Sequence, residues 1–485
     1  MTDASTSPGR RFVDEFSAWL NPRDPAESDN RMFFESATIV VDTNVLLDLY
    51  RVSSATRAEI LSVLSRSSDR LWVPNQVALE YSRNRRKVVI DRNKEFSSMK
   101  ALLRKSERDA IDGLELALKK FLKFRDRNRS SRDWDPVKFG VDKESLQGRI
   151  SGLWHEALME LDNLEKEIDL SEKDLATDPI LVALDNILTG RVGPAPSSKD
   201  LQRHVEEFVN FRYPNKLPPG YADVDDKDEP VRQAGDFLLW RQLIDHVGRS
   251  KQLSPRRVML VTGDSKPDWW ELDREGNPLR ARSELVHELR REANAELLLI
   301  SLTQLLQGAK DYLQLDVSDA AISEVQEREE ADQLAALLPA SVGENRTFDP
   351  FRAHPADLES VVLYLLLKME FEVSRRVSGI QRSVDFIVKD SNGERLAVEV
   401  YLRRPEDVSS RTIMRDARRL SEYMKEISRE VPIDRGMMIT TAQVPPSDRV
   451  RIEKEFGNIA VIDGQDLRDL LTLYADIHLD SFDSW

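Results

Sequence analysis

The chain contains no cysteine. That excludes disulfides and thiolate metal sites, and it fits a reducing cytoplasm. Histidine is scarce, with six in 485 residues, so carboxylates are the natural ligands for any metal, and they point to Mg²⁺ or Mn²⁺. Long apolar runs are also missing. No window approaches the roughly 18 apolar residues that span a bilayer, and the polar stretch Met1 to Pro8 lacks the apolar core of a signal peptide. These absences imply a cytoplasmic location and no membrane partner.

Positive charge is in deficit overall, with a formal net charge of -15, which argues against nucleic-acid binding through the whole surface. Its distribution is uneven. Residues 83–132 hold 17 Lys+Arg against 7 Asp+Glu, so one basic patch could meet a phosphate backbone while the remaining surface stays acidic.

Length and pattern predict two α/β domains. In the first, residues 1–315, a strand at Ala37–Val41 is followed by a helix over 54–67. A short strand, Leu71–Val73, precedes a long basic helix from about Asn75 to Lys123, and a second long helix spans 146–168. The two long helices form a basic helical insertion at about 83–210. A buried-type strand covers Val258–Thr262, and Arg282–Leu306 reads as a further helix. Strands alternating with helices favour a parallel sheet covered on both faces. Residues 316–348, rich in Glu, Asp and Ala, read as a linker. The second domain, residues 349–485, starts with an apolar helix at Leu358–Met369. It continues with strands at Ser383–Val388 and Leu396–Tyr401, a basic helix at Arg411–Ile427 and strands at Gly436–Thr440 and Ile459–Ile462.

Acidic residues recur where this pattern puts strand ends and helix starts. Asp42 ends the first strand, and Asp264 follows the strand at 258–262. Glu80 lies early in the helix after Pro74, Asp236 lies near a helix start, and Asp268 follows four residues after Asp264. In an open parallel sheet all of these gather at the carboxyl edge, where ligands bind. Clustered carboxylates repel one another unless a cation neutralises them, and a divalent ion placed there can activate water and hold a scissile phosphate. Thr43 and Asn44 would orient a carboxylate or a bound water. Each acid alone also has an ordinary reading: Asp42 or Asp236 as a helix cap, Asp264 as a turn former, Glu80 as a solvated helix residue.

Together these stretches resemble the PIN-like domain family. Its motifs are matched by Val41-Asp42-Thr43-Asn44-Val45-Leu46-Leu47-Asp48, by Val73-Pro74-Asn75-Gln76-Val77-Ala78-Leu79-Glu80-Tyr81, by Pro218-Pro219-Gly220-Tyr221 with Gly235-Asp236-Phe237-Leu238-Leu239-Trp240, and by Thr262-Gly263-Asp264-Ser265-Lys266-Pro267-Asp268-Trp269-Trp270. The resemblance covers about residues 10–310. It implies a metal-dependent phosphodiesterase, most often acting on RNA, with Asp42, Glu80, Asp236 and Asp264 as catalytic and metal-binding acids, Asp268 as an auxiliary ligand and Asn44 beside the first Asp. RNA is the favoured substrate and DNA stays open.

On the helix that carries Glu80, Arg83, Arg86 and Lys87 are candidates for gripping phosphates, and Lys119 to Arg129 would extend the track. A helix laced with salt bridges is the plainer reading. Trp269 and Trp270 could stack on a base or belong to the core. The second domain resembles the restriction-endonuclease-like fold, with Glu359, Asp385 and Glu399 as a possible second site. The last motif of active members ends in Lys, and here Tyr401 stands in its place, with Lys389 or Lys425 as substitute amines. Two readings stay open: a degenerate domain that binds nucleic acid through Arg403, Arg404, Arg411, Arg415, Arg418 and Arg419, a protein partner or a second copy, and a plain α/β domain whose Asp385 and Glu399 are only strand-end residues. The combined layout resembles toxin and anti-phage effectors. A structure-specific DNA repair nuclease and a non-catalytic nucleic-acid-binding scaffold are the alternatives.

Overall fold

The computed structural model describes residues 12–20, 27–128, 142–168, 178–222, 229–249, 256–273, 278–339, 341–343, 346–375, 384–404, 409–429 and 431–479. The chain divides into two compact units, Met1–Glu271 with Arg280–Gln326, and Leu272–Leu279 with Glu327–Trp485. No helix among the described residues is long and apolar enough to cross a membrane.

The first unit is built on a four-stranded parallel sheet. Its strands are β1 (Thr38–Val41), β2 (Leu71–Trp72), β3 (Arg256–Val261) and β4 (Ala295–Ile300), in the order β2-β1-β3-β4. Ile39, Val40 and Val41 are buried, as expected for a central strand covered on both faces. Helix α1 (Thr43–Asp48) follows β1 and α2 (Ser54–Arg66) follows it in turn. The 53-residue helix α3 (Asn75–Arg127) starts directly after β2. It packs against α4 (Lys143–Ile168) as an antiparallel pair, tied by Lys100 to Asp162 and Glu165 and by Ser151 to Glu107. Helix α5 (Pro179–Leu188) is capped by Asp178, whose carboxylate also takes bonds from Tyr50 and Arg85. Helix α6 (Gly235–Gly248) precedes β3.

The stretch expected to be one helix, Arg282–Leu306, is instead helix α7 (Ser283–Ala293), strand β4 and the start of helix α8 (Leu302–Leu313). Asn294 takes a left-handed conformation that ends α7, and a Ser301–Gln304 capping box starts α8. The apolar run Leu297–Ile300 is too short for its periodicity to separate strand from helix. The stretch read as a linker carries a 17-residue helix, α9 (Asp319–Ala335). Its Glu324 accepts bonds from the Ser53 amide and hydroxyl and from the Thr56 hydroxyl. Alanine and glutamate favour a helix as readily as a solvated connector.

The second unit holds a mixed five-stranded sheet. Helix α10 (Pro355–Lys368) is followed by β5 (Glu372–Arg375), β6 (Phe386–Lys389) and β7 (Arg395–Tyr401). Helix α11 (Ser410–Ile427), β8 (Arg435–Thr440), helix α12 (Pro446–Phe456), β9 (Ile459–Ile462) and helix α13 (Gly464–Leu470) complete it. The order is β9-β8-β7-β6-β5, parallel from β9 to β7 and antiparallel from β7 to β5. Alternation along β7 sorts its side chains between two cores. Leu396 and Val398 pack with α10, whereas Ala397 and Tyr401 pack with Ile413, Ala417 and Leu420 of α11. Glu399 therefore faces the α11 side. Ser383, the expected start of β6, lies outside the described residues.

Candidate active site

Parallel pairing of Val41 with Val261 brings the ends of β1 and β3 to one edge of the sheet. There the Asp42 amide donates to the Val261 carbonyl. One Asp42 oxygen accepts from the Thr43 amide at 2.5 Å and the other from the Thr262 hydroxyl at 2.9 Å. Asp42 is thus the N-cap of α1, as its ordinary reading holds, and also a carboxylate at the sheet edge. Loss of solvent pushes its carboxyl up from 3.8 to about 7; the charges of Glu80 and Asp264 add to the rise, and the Thr262 and Thr43 bonds oppose it.

Glu80 reaches the same edge from α3. One of its oxygens accepts from the Thr43 hydroxyl at 3.1 Å and the other from the Gln76 side-chain amide at 2.6 Å. Gln76 lies four residues before Glu80, one helical turn away on the same face. Asp264 accepts from the Lys266 amide at 2.8 Å, the two-residue turn expected of it, and the Lys266 ammonium stands 3.6 Å from its other oxygen. The Asp264 amide donates to the Thr262 hydroxyl at 3.0 Å, so Thr262 braces both strand-end acids. Asn44, exposed in α1, comes to this edge beside Gly263, where a Cβ would sit 3.3 Å from the Asn44 Cβ.

Asp236 lies in the first turn of α6 and does not cap it; Ala234 holds the cap position. Its neighbour Gly235 abuts Glu80, and a Cβ there would fall 2.7 Å from a Glu80 oxygen. Gly220, at φ +94, presses on Asp236 from the Pro-Pro-Gly-Tyr loop, where an added Cβ would be 3.2 Å from the Asp236 Cβ. Only glycine meets both the backbone angle and the spacing there.

Asp268 is fully buried, and one of its oxygens accepts from the Gly220 and Ala222 amides at 2.8 and 3.3 Å. Both bonds come from the loop that packs on Asp236. Trp269 and Trp270 are both core residues, 3 % and 5 % exposed, so neither offers a face for base stacking. Trp269 meets Trp240 edge-on, and the Trp270 indole donates to the Asp264 carbonyl. Arg83, Arg86 and Lys87 are exposed on α3 beyond Glu80. Further along, Lys119 pairs with Glu115 of its own helix, and Arg129 lies outside the described residues.

The second unit brings Asp385 and Glu399 together. Asp385 accepts from the Val400 amide at 2.8 Å, and its charge helps raise the Glu399 carboxyl to about 7, although burial is the larger cause. One Glu399 oxygen accepts from the Arg419 guanidinium at 2.8 Å, while the other is buried with no hydrogen-bond partner. Tyr401 is buried and donates to the Asp416 carbonyl. The place of Arg419 on Glu399, twenty residues away in the chain, has no local signal in the sequence. Glu359 lies on α10, in the other layer. Lys389 pairs with Glu372 at 3.0 Å at the opposite end of β6, and Lys425 is exposed in the last turn of α11.

Oxygen donors and mutual repulsion in the first unit suit a hard divalent ion. As the side chains stand, no three Asp, Glu or His residues among those described are arranged to hold one ion. In the second unit, the unpartnered Glu399 oxygen is the atom such an ion would satisfy.

Residues 38–285 match the family model of a PIN-like domain, and residues 352–471 match that of a restriction endonuclease. No curated protein and no solved structure gives a significant match.

Proposed function

We propose that this chain, which belongs to the PIN-like domain family, is a nuclease whose first unit hydrolyses phosphodiester bonds with Mg²⁺ or Mn²⁺ and prefers RNA. The observation that carries the reading is the meeting of Asp42, Glu80 and Asp264 at one sheet edge, where Thr43 bonds to Asp42 and Glu80 and Thr262 bonds to Asp42 and the Asp264 amide; burial first, and then the two neighbouring charges, push the Asp42 carboxyl up to about 7. Such a cluster binds a cation in preference to ionising unaided. A bound divalent ion supplies charge neutralisation and a water of lowered pKa.

Asp42 and Asp264 would hold the ion from the sheet edge, with Glu80 closing on it from the second turn of α3 and Asp236 from the first turn of α6. Thr43, Thr262 and Gln76 fix the direction of the acids before substrate arrives. Arg83 and Lys87 would take flanking phosphates, and Arg86 would extend that contact. An effector role, as in toxin or anti-phage systems, belongs to the same proposal and rests on the two-domain layout alone.

The test is a panel of single- and double-stranded RNA and DNA with each metal, on the wild type, Asp42→Asn and Asp236→Asn. RNA cleavage should fall roughly a thousandfold in both variants, the loss of several kcal/mol of metal-borne stabilisation, with the circular dichroism spectrum kept. Cleavage unchanged in both variants sinks the reading.

A further inference from the structure

Tyr401 stands where a strand lysine would serve the second unit's acids, and the structure shows what occupies the space next to it. Glu399 and Tyr401 share the β7 face that packs on α11. A cation needed at this face can therefore come from the helix as well as from the strand. Arg419 comes from α11. Its guanidinium donates to Glu399 at 2.8 Å and lies over the Tyr401 ring, 4.9 Å from the centroid, and over Tyr423 at 5.8 Å. The Tyr401 hydroxyl donates to the Asp416 carbonyl and also meets Arg419 through a side-chain hydrogen bond, so hydroxyl and ring together seat the guanidinium. Arg403 completes the frame with a paired contact to Asp416, at 2.9 and 2.8 Å. The Arg419 side chain is 46 % exposed, so one edge is pinned and another faces solvent. The second Glu399 oxygen is buried without a hydrogen-bond partner, and the charge of Asp385 acts on the same carboxyl.

We propose that Arg419 is the cation of a second hydrolytic centre, delivered from α11 in place of the strand lysine, with Asp385 and Glu399 as its acids and a nucleic-acid phosphodiester as its substrate. In that reaction a water oxygen attacks phosphorus, the bond to the leaving oxygen breaks, and the water's proton ends on that oxygen. Arg419 steadies charge on the phosphate, a task that its fixed protonation suits. The proposal is independent of the reading of the first unit, because its test counts only cleavage that depends on Asp385, whether or not Asp42→Asn silences the rest.

The test uses the full chain with Asp42→Asn, so that the first unit is silent, on duplex DNA and on RNA with Mn²⁺. Cleavage that disappears with Asp385→Asn is the second unit's. Arg419→Ala should lower it roughly a hundredfold, and adding Tyr401→Lys to Arg419→Ala should restore part of it. Mn²⁺ binding, followed by the paramagnetic signal of the free ion, separates this role from a merely structural one. Removing a positive charge beside the acids should tighten the Asp385-dependent binding by up to about tenfold, whereas disruption of the fold would weaken it. The proposal is overturned if no Asp385-dependent cleavage exists, if Arg419→Ala leaves it unchanged, or if Mn²⁺ affinity falls together with cleavage.

Discussion

Asp42 and Glu399 hold comparable places in two unlike sheets. Each lies at or near the end of a central strand, and each is pushed up to about 7 mainly by burial; Glu80 and Asp264 add to the rise at Asp42, and Asp385 adds to it at Glu399. Their partners differ. Asp42 is met by an amide and a hydroxyl, and the nearby Lys266 leans on Asp264. Glu399 is met by a guanidinium stacked on a tyrosine. The two acids are thus handled in two ways: Asp42 by neutral donors, with Lys266 set on the neighbouring Asp264, and Glu399 by a guanidinium bound to it directly. Asp42 itself therefore depends on an outside ion for neutrality more than Glu399 does.

The sharpest way to break this comparison is at Gly235. A methyl there meets the far end of Glu80, a flexible side chain that can swing away. Gly235→Ala should leave the melting temperature level or slightly higher, since alanine is the better helix former. First-unit cleavage should fall about a hundredfold from a displaced carboxylate. A large drop in melting temperature with intact specific activity would contradict the placement of Glu80 in the site.

A smaller effect is expected from pH. Ionised Asp42 binds metal, so first-unit Mn²⁺ affinity should rise by up to about tenfold per pH unit as pH climbs toward 7, then level off. The metal-free fold should behave in the opposite sense. A carboxyl whose folded pKa lies above its unfolded value stabilises the fold fully below the unfolded value. That contribution is lost as pH rises from about 4 through about 7. Asp42→Asn should flatten both profiles, and titration of Mn²⁺ and of melting temperature across pH 4–8 would check them.

The smallest effect is expected at Thr262. Thr262→Val removes a donor from Asp42, costing about 1 kcal/mol. Because that bond lowers the Asp42 pKa, its loss should move the midpoint of the Mn²⁺–pH profile upward. The second unit's cleavage should not move.

Local pattern made much of the first site legible. The β-branched run before Asp42 reads as a buried strand, and Pro74 followed by a helical pattern places Glu80 one to two turns into α3. Parallel pairing then predicts a shared edge for Asp42 and Asp264, and the Val41–Val261 register places them so. The helix–strand–helix passage at 283–313 was not legible, because a four-residue apolar run has no period of its own to display.

By itself, the sequence determined the order of elements outside 283–335, the two families and the acids that stand at strand ends and helix starts, because these follow from side-chain periodicity, turn formers and motif spacing. Tertiary structure alone decided what each acid meets. Asp268 resembles Asp264 in the chain, yet it is buried beneath the Gly220 loop and binds its amides. Tyr401 looks like the loss of a cation, yet Arg419 arrives from α11 to lie over it. Contacts across twenty or forty-eight residues leave no trace in local spacing, since they are set by which faces of strand and helix pack together.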